Sequence, residues 1–292
     1  MIHNSNTTTS DLTVEIVRCA NGHDFTAIII NGTRITNSKC CGRWTTVRKF
    51  KVQREVMAEA IAEAPAERAV GGVIRSFTSR LVRHGDFPFP EFTGLRVMMM
   101  PVIIGRPDSL PDHSEAWRAA FGVISVLAHE HYGSVGYLTV DEAEVPAGET
   151  HRRPGMHVDG YGTDAPAPYG GGGRGYGGGD DLGGGTGMLC AATCAPMRVW
   201  TGTIAGSPGI DGSCEHMRGK LGAGAVLEPN VAYWCSPMLV HEAMPMSETG
   251  RRQFVRLSLP SSAPWHEGYT PNPMAQPTGP ILPARAEMGY RP

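Results

Sequence analysis

The sequence predicts a β-rich α+β fold, a sandwich, barrel or jelly-roll framework with helices packed outside the sheet. Three observations carry that expectation. Glycine and proline, 38 and 23 of 292 residues, are abundant enough to require many turns. From Val135 onward, short apolar stretches alternate with Gly- and Pro-rich turns, the pattern of many short strands in series. A helical period is confined to the region between Val52 and His131, ahead of those strands.

Residues 13–259 are read as one domain, since a 31.3 kDa chain can bury a single large core. A polar tail at 1–12 precedes it, and a Pro-rich strap at 260–292 follows it. Taken in order, Thr13–Arg18 and Phe25–Thr36 read as strands, the second turning at Asn31-Gly32, a two-residue hairpin signal. Val52, Val56, Ala60 and Ala64 recur every four residues. Val70, Val73, Ile74, Phe77 and Leu81 then follow the i, i+3, i+4, i+7 rule, so two amphipathic helices are expected before Gly85. Leu95–Ile104 is an apolar run of buried-strand length. A further helix is expected from Asp112, with Glu115 completing a capping box and Trp117, Phe121, Ile124 and Leu127 on one face, to about His131. The strands expected next are Val135–Val140, Gly155–Asp159, Met188–Ala192, Met197–Ile204, Ala225–Leu227, Val231–Cys235 and Gln253–Leu259. In the strap, Trp265, Tyr269, Ile281 and Leu282 are the expected anchors.

Charge narrows the function. With 26 basic and 28 acidic side chains there is no global positive field to draw the chain onto nucleic acid or anionic lipid, so a small-molecule partner is expected. No run approaches the roughly 20 apolar residues of a membrane span, and the N-terminus lacks a signal-peptide pattern. Seven scattered cysteines, an odd number without paired spacing, fit a reducing, cytoplasmic location better than a disulfide framework.

The chemistry is expected around His157-Val158-Asp159. In an extended segment the imidazole and carboxylate project to one side and Val158 to the other. If His241, at the end of the apolar run from Val231, reaches the same point, the three make a two-histidine, one-carboxylate face. Such a face suits non-heme Fe(II), because the opposite coordination positions stay open. Beyond His241, a strand carries Arg252, Phe254, Arg256 and Ser258 on one face. Buried guanidinium groups need an anion, and a dicarboxylate would meet that need.

Over Val135 to Leu259 the chain resembles the Fe(II)/2-oxoglutarate-dependent dioxygenases, in His157-Val158-Asp159, His241 and Arg256-Leu257-Ser258, the last similar to the R-x-S element of many members. Arg252 and Arg256, 11 and 15 residues after His241, are similar to the two arginines that contact 2-oxoglutarate in taurine-dioxygenase-like members, with Arg251 a third candidate. The resemblance implies a double-stranded β-helix, a cupin-like jelly roll, with iron held by His157, Asp159 and His241. It implies 2-oxoglutarate chelated to that iron, its far carboxylate on Arg256 and Ser258 with Arg252 nearby. O2 would then drive decarboxylation to succinate and CO2, with hydroxylation, desaturation or ring formation at a substrate C–H bond. Because Asp159 is a carboxylate, halogenation is not expected. Two other readings stay open, a cupin-like metal enzyme that does not use 2-oxoglutarate and a non-catalytic jelly-roll binding protein.

Substrate contacts are expected from Arg153, beside His151 and Arg152, and from Trp200, although strand aromatics are usually core. The glycine-rich insert Tyr169–Gly187 reads either as a tolerated surface loop or as a lid, whose contact residues would be Tyr176, Asp180 and Asp181.

Overall fold

A computed structural model of the chain describes residues 12–19, 24–30, 33–35, 44–52, 76–159, 187–194, 197–209, 212–260 and 265–283. The chain opens with four antiparallel strands, β1 (Leu12–Cys19), β2 (Asp24–Ile30), β3 (Thr33–Ile35) and β4 (Trp44–Val52), in the order β3-β2-β1-β4. Ile30 stands opposite Thr33, the register that a two-residue hairpin at Asn31-Gly32 requires.

The region expected to be helical differs. Val52 ends β4, and Val56 through Ile74 lie outside the described residues. Phe77 and Leu81 fall on two strands, β5 (Ser76–Ser79) and β6 (Leu81–Asp86). Side chains four apart share a face in a strand as well as in a helix, so that spacing could not separate the two. Alternation decides it, since Phe77 and Ser79 are buried while Ser76 and Thr78 are half-buried.

Next come β7 (Arg96–Ile103) and α1 (Arg118–Leu127), with 3₁₀ turns at Asp112–Trp117 and His129–His131 on either side of the helix. The expected capping box does not form. Glu115 instead pairs with Arg118 at 2.7 Å, because the first turn is 3₁₀ and the α-helix begins only at Arg118. β8 (Val135–Val145) and β9 (Met188–Ala192) follow. The stretch expected as one strand from Met197 to Ile204 is divided into β10 (Met197–Trp200) and β11 (Gly202–Ala205), where Gly202 at φ 111° turns the chain into a different sheet. Then come β12 (Ala225–Val226), β13 (Val231–Cys235), β14 (Val240–Ala243), β15 (Gly250–Ser258), β16 (Trp265–His266) and β17 (Ile281–Leu282).

Two sheets carry the domain, an antiparallel six-stranded one in the order β6-β13-β9-β15-β8-β7 and a three-stranded one in the order β12-β10-β14. Among the described residues neither closes into a barrel, and the arrangement is that of two antiparallel sheets packed as in a β-sandwich. The period of two sorts side chains between two cores. Met188, Cys190, Ala192 and Phe254 point toward the small sheet and pack with Val199, Leu227 and Leu239. Leu189, Ala191, Val255 and Leu257 point the other way, onto Phe121 and Ile124 of α1. Each fully buried Val, Leu, Ile or Phe among them contributes about 2 kcal/mol of transfer free energy. Of the helices expected to pad the sheet, α1 is the one α-helix among the described residues. No helix among the described residues is long and apolar enough to cross a membrane.

The strap docks as expected at Trp265 and Tyr269, which bury against Met99 and Tyr137. Ile281 does not anchor: it is 56% exposed, and with Leu282 it contributes backbone pairing to β16 instead.

Candidate metal centre

His157 and His241 meet across two backbone hydrogen bonds, His157 N to His241 O and His241 N to His157 O, both 2.9 Å. A pair that exchanges both bonds carries its side chains on one face, and the two imidazole centroids stand 4.4 Å apart. The strand expected over Gly155–Asp159 is only this bridge and one to Ser213, since Pro154 and Gly155, at φ 83°, prevent a longer ladder. The alternation nevertheless holds. Met156 and Val158 are buried with Trp200 and Val240, and His157 and Asp159 turn to the opposite side.

Each imidazole is fixed by its own chain. Nδ1 of His157 lies 2.7 Å from the Gly155 carbonyl, and Nδ1 of His241 lies 2.9 Å from the Leu239 carbonyl. A carbonyl oxygen can only accept, so both Nδ1 atoms carry the proton and, in the neutral rings, both Nε2 atoms present a lone pair. Those Nε2 atoms stand 3.8 and 3.9 Å from the Asp159 carboxylate, beyond hydrogen-bond range.

One donor atom from each of the three residues lies within 4.8 Å of the other two. Three donors about 2 Å from a single ion would stand roughly 3 Å apart, a closure that small side-chain rotations supply. Two imidazole nitrogens and a carboxylate, with backbone acceptors orienting the rings, are a suitable donor set for a divalent first-row metal. Among the described residues this is the one such cluster of histidine, cysteine and acidic side chains.

Electrostatics agree with that chemistry. Burial, with the neighbouring His241 second, lowers the His157 pKa to about 4, so the ring is neutral at pH 7. Burial opposes ionisation of Asp159, but His241, Arg256 and His157 outweigh it and hold the carboxyl well below the usual range.

Arg256 reaches the same point, with Nη1 donating to Asp159 Oδ2 at 3.1 Å. Its Nη2 and the Ser258 hydroxyl both face the Met99 sulfur, at 3.5 and 3.9 Å, and its buried Nε has no hydrogen-bond partner among the described residues. Met99 itself sits in the left-handed region at φ 47°, where the β7–β8 register slips. The expected common face of Arg252, Phe254, Arg256 and Ser258 is present, with Val255 and Leu257 on the other. Arg252, however, lies buried farther along β15, donating to the Cys194 carbonyl at 2.8 Å and to His151 Nδ1 at 2.9 Å. Burial, with Arg152 as a like charge beside it, lowers its pKa to about 10. Arg251 is exposed over the Phe92 ring on the opposite face.

Of the expected substrate contacts, Arg153 is half-buried and close enough to His157 to help depress its pKa. Trp200 is core beneath the centre, its indole N–H donating to the Gly222 carbonyl. Tyr176, Asp180 and Asp181 lie outside the described residues, as does the glycine-rich insert up to residue 186. Cys190 sits 3.4 Å from Cys235 across β9 and β13.

Met99, Glu215, Arg218 and Glu242 also surround the centre, and sequence reasoning missed them. Only the three-residue spacing of Glu215 and Arg218 offered a signal, as a local ion pair without a location. No protein-family profile matches the chain, and neither a curated protein nor a solved structure matches it.

Proposed function

We propose that the protein is a non-heme Fe(II) oxygenase built on a double-stranded β-helix. It couples oxidative decarboxylation of 2-oxoglutarate by O2 to oxidation of a C–H bond in a small molecule, an amino acid or a biosynthetic intermediate. One observation carries the reading. His157, Asp159 and His241 converge with both Nε2 lone pairs directed at one carboxylate, and beside them Arg256 Nη2 and the Ser258 hydroxyl are turned to a thioether.

Bound Fe(II) supplies the site at which O2 is activated. The chain's own residues do the rest. The Nδ1 tethers stop the two rings from turning away, and Asp159 supplies the negative charge that favours a divalent cation. A thioether is a weak acceptor, so a carboxylate that displaces the Met99 sulfur gains charge-assisted hydrogen bonds from Arg256 and Ser258. It would also satisfy the orphaned Nε, a buried donor that is costly to leave unmade.

The test is succinate release from 2-oxoglutarate by purified protein, with and without Fe(II), in wild type and Asp159→Ala. Release that needs Fe(II) and disappears in the variant is the expected result. Metal binding without succinate would favour the cupin-like alternative, and neither would favour a binding protein.

A further inference from the structure

We infer that Glu215 and Arg218 form an outer clamp that fixes the spacing of His157 and His241. They are positioning residues for the metal centre and make no contact with it. The need for a clamp follows from the backbone. The segment carrying His157 meets β14 at a single bridge, so two hydrogen bonds alone align one ligand strand with the other.

The 3₁₀ turn Glu215–Lys220 supplies what a longer ladder would have supplied. Its approach staples the segment from the far side, with Val158 N donating to the Gly212 carbonyl at 3.0 Å and Cys214 N to the Met156 carbonyl at 2.7 Å. The fit is close: a Cβ at Gly212 would meet the Val158 carbonyl at 2.5 Å. Glu215 Oε1 then accepts the Met156 N–H at 2.6 Å, one residue before His157.

Arg218 carries the tie across. It donates to both oxygens of Glu215, at 2.7 and 2.8 Å, and through Nη2 to Glu242 Oε2 at 2.6 Å. Glu242 is the residue after His241, and its other oxygen takes Arg198 of the neighbouring β10 at 3.2 Å. One guanidinium therefore joins the backbone ahead of the first histidine to the side chain behind the second. Both partners of the Glu215–Arg218 pair are more than 40% exposed, so the pair contributes little to global stability. Its effect is confined to the geometry between the strands.

This inference rests on the metal-centre reading, and the experiment separates the two. Co(II) is titrated into the full-length protein, following its visible d–d spectrum, in wild type, His241→Ala, Glu215→Ala, Glu215→Gln, Arg218→Ala and Arg218→Lys, with melting temperatures measured in parallel. Expected are loss of binding in His241→Ala and a fall of about ten- to a hundred-fold in affinity, with an altered spectrum, in Glu215→Ala and Arg218→Ala at near wild-type melting temperature. Glu215→Gln, which keeps an acceptor for the Met156 N–H, should recover most of the affinity, and Arg218→Lys only part. Wild-type affinity and spectrum in Glu215→Ala and Arg218→Ala, with binding lost in His241→Ala, would overturn the clamp and leave the centre standing. So would an affinity loss that merely follows a large drop in melting temperature. Unchanged binding in His241→Ala would overturn both.

Discussion

Glu142, on the α1 side of β8 in the six-stranded sheet, and Asp159, just beyond the bridge to β14 of the three-stranded sheet, are both carboxylates, and their surroundings differ sharply. Glu142 accepts five hydrogen bonds, from the Thr93 N–H and hydroxyl, the Leu95 N–H, the Trp117 indole and the Gln253 amide. Among the described residues Asp159 accepts one, from Arg256, and faces two imidazole nitrogens that do not reach it. A saturated buried carboxylate organises the fold around itself. An unsaturated one, ringed by lone pairs and a guanidinium, has coordination capacity left to give.

Exchanging the two should break the comparison most visibly. Asp159→Ala and His157→Ala are expected to abolish Co(II) binding in a spectroscopic titration, whereas Glu142→Ala should leave it intact. Glu142→Ala should instead lower the unfolding free energy by about 3 kcal/mol or more in urea denaturation, since several buried donors lose their acceptor at once. A stability loss in Asp159→Ala as large as in Glu142→Ala would erase the distinction.

His157 and Glu142 should also titrate in separate windows. Between pH 6.5 and about 4 the unfolded chain takes up a proton that folded His157 refuses, so the metal-free protein is most stable above that window and loses stability as pH falls through it, by up to about 3 kcal/mol. Glu142, whose carboxyl is depressed, should contribute its loss only as pH falls below the ordinary carboxylate range. Urea unfolding with chelator present, from pH 8 to 4, checks the first window. Persistence of the same slope in His157→Gln would assign it elsewhere.

The smallest expected effect concerns Arg256. Replacing it by alanine should raise the KM for 2-oxoglutarate about thirty-fold, equivalent to about 2 kcal/mol, and lysine should recover only part because an ammonium lacks the planar fork. An unchanged KM would move the cosubstrate to Arg252, which already lies buried on the same face of β15.

Much of this was legible in the residues, and the reasons differ by element. Met188–Ala192 and Val231–Cys235 were placed with their observed bounds, because apolar runs of strand length end there at turn residues. The ligand set was legible because alternation fixes which side of the chain His157 and Asp159 occupy, even where no strand forms. Phe77 and Leu81 misled because their spacing is common to both periodicities. β14 was not among the expected strands, since the turn at Ser236 that sets it apart from β13 is closed by a bond from Leu239 N to Ser236 O, which composition does not reveal. The Arg218 link was beyond reach as well: it joins residues 24 positions apart through geometry that only the folded sheets create.

The strap has a consequence for behaviour in concentrated solution. β7 is a terminal strand of the six-stranded sheet, and an uncovered terminal strand is a template on which another chain can add. Thr270 occupies that edge, donating from its N–H to the Met98 carbonyl and accepting the Met98 N–H on its hydroxyl, while Trp265 takes the Met99 carbonyl and Asn272 the Pro101 carbonyl. A chain cut after Leu259 would retain all three candidate ligands yet bare this edge, so its first failure should be self-association, visible as light scattering that rises with protein concentration.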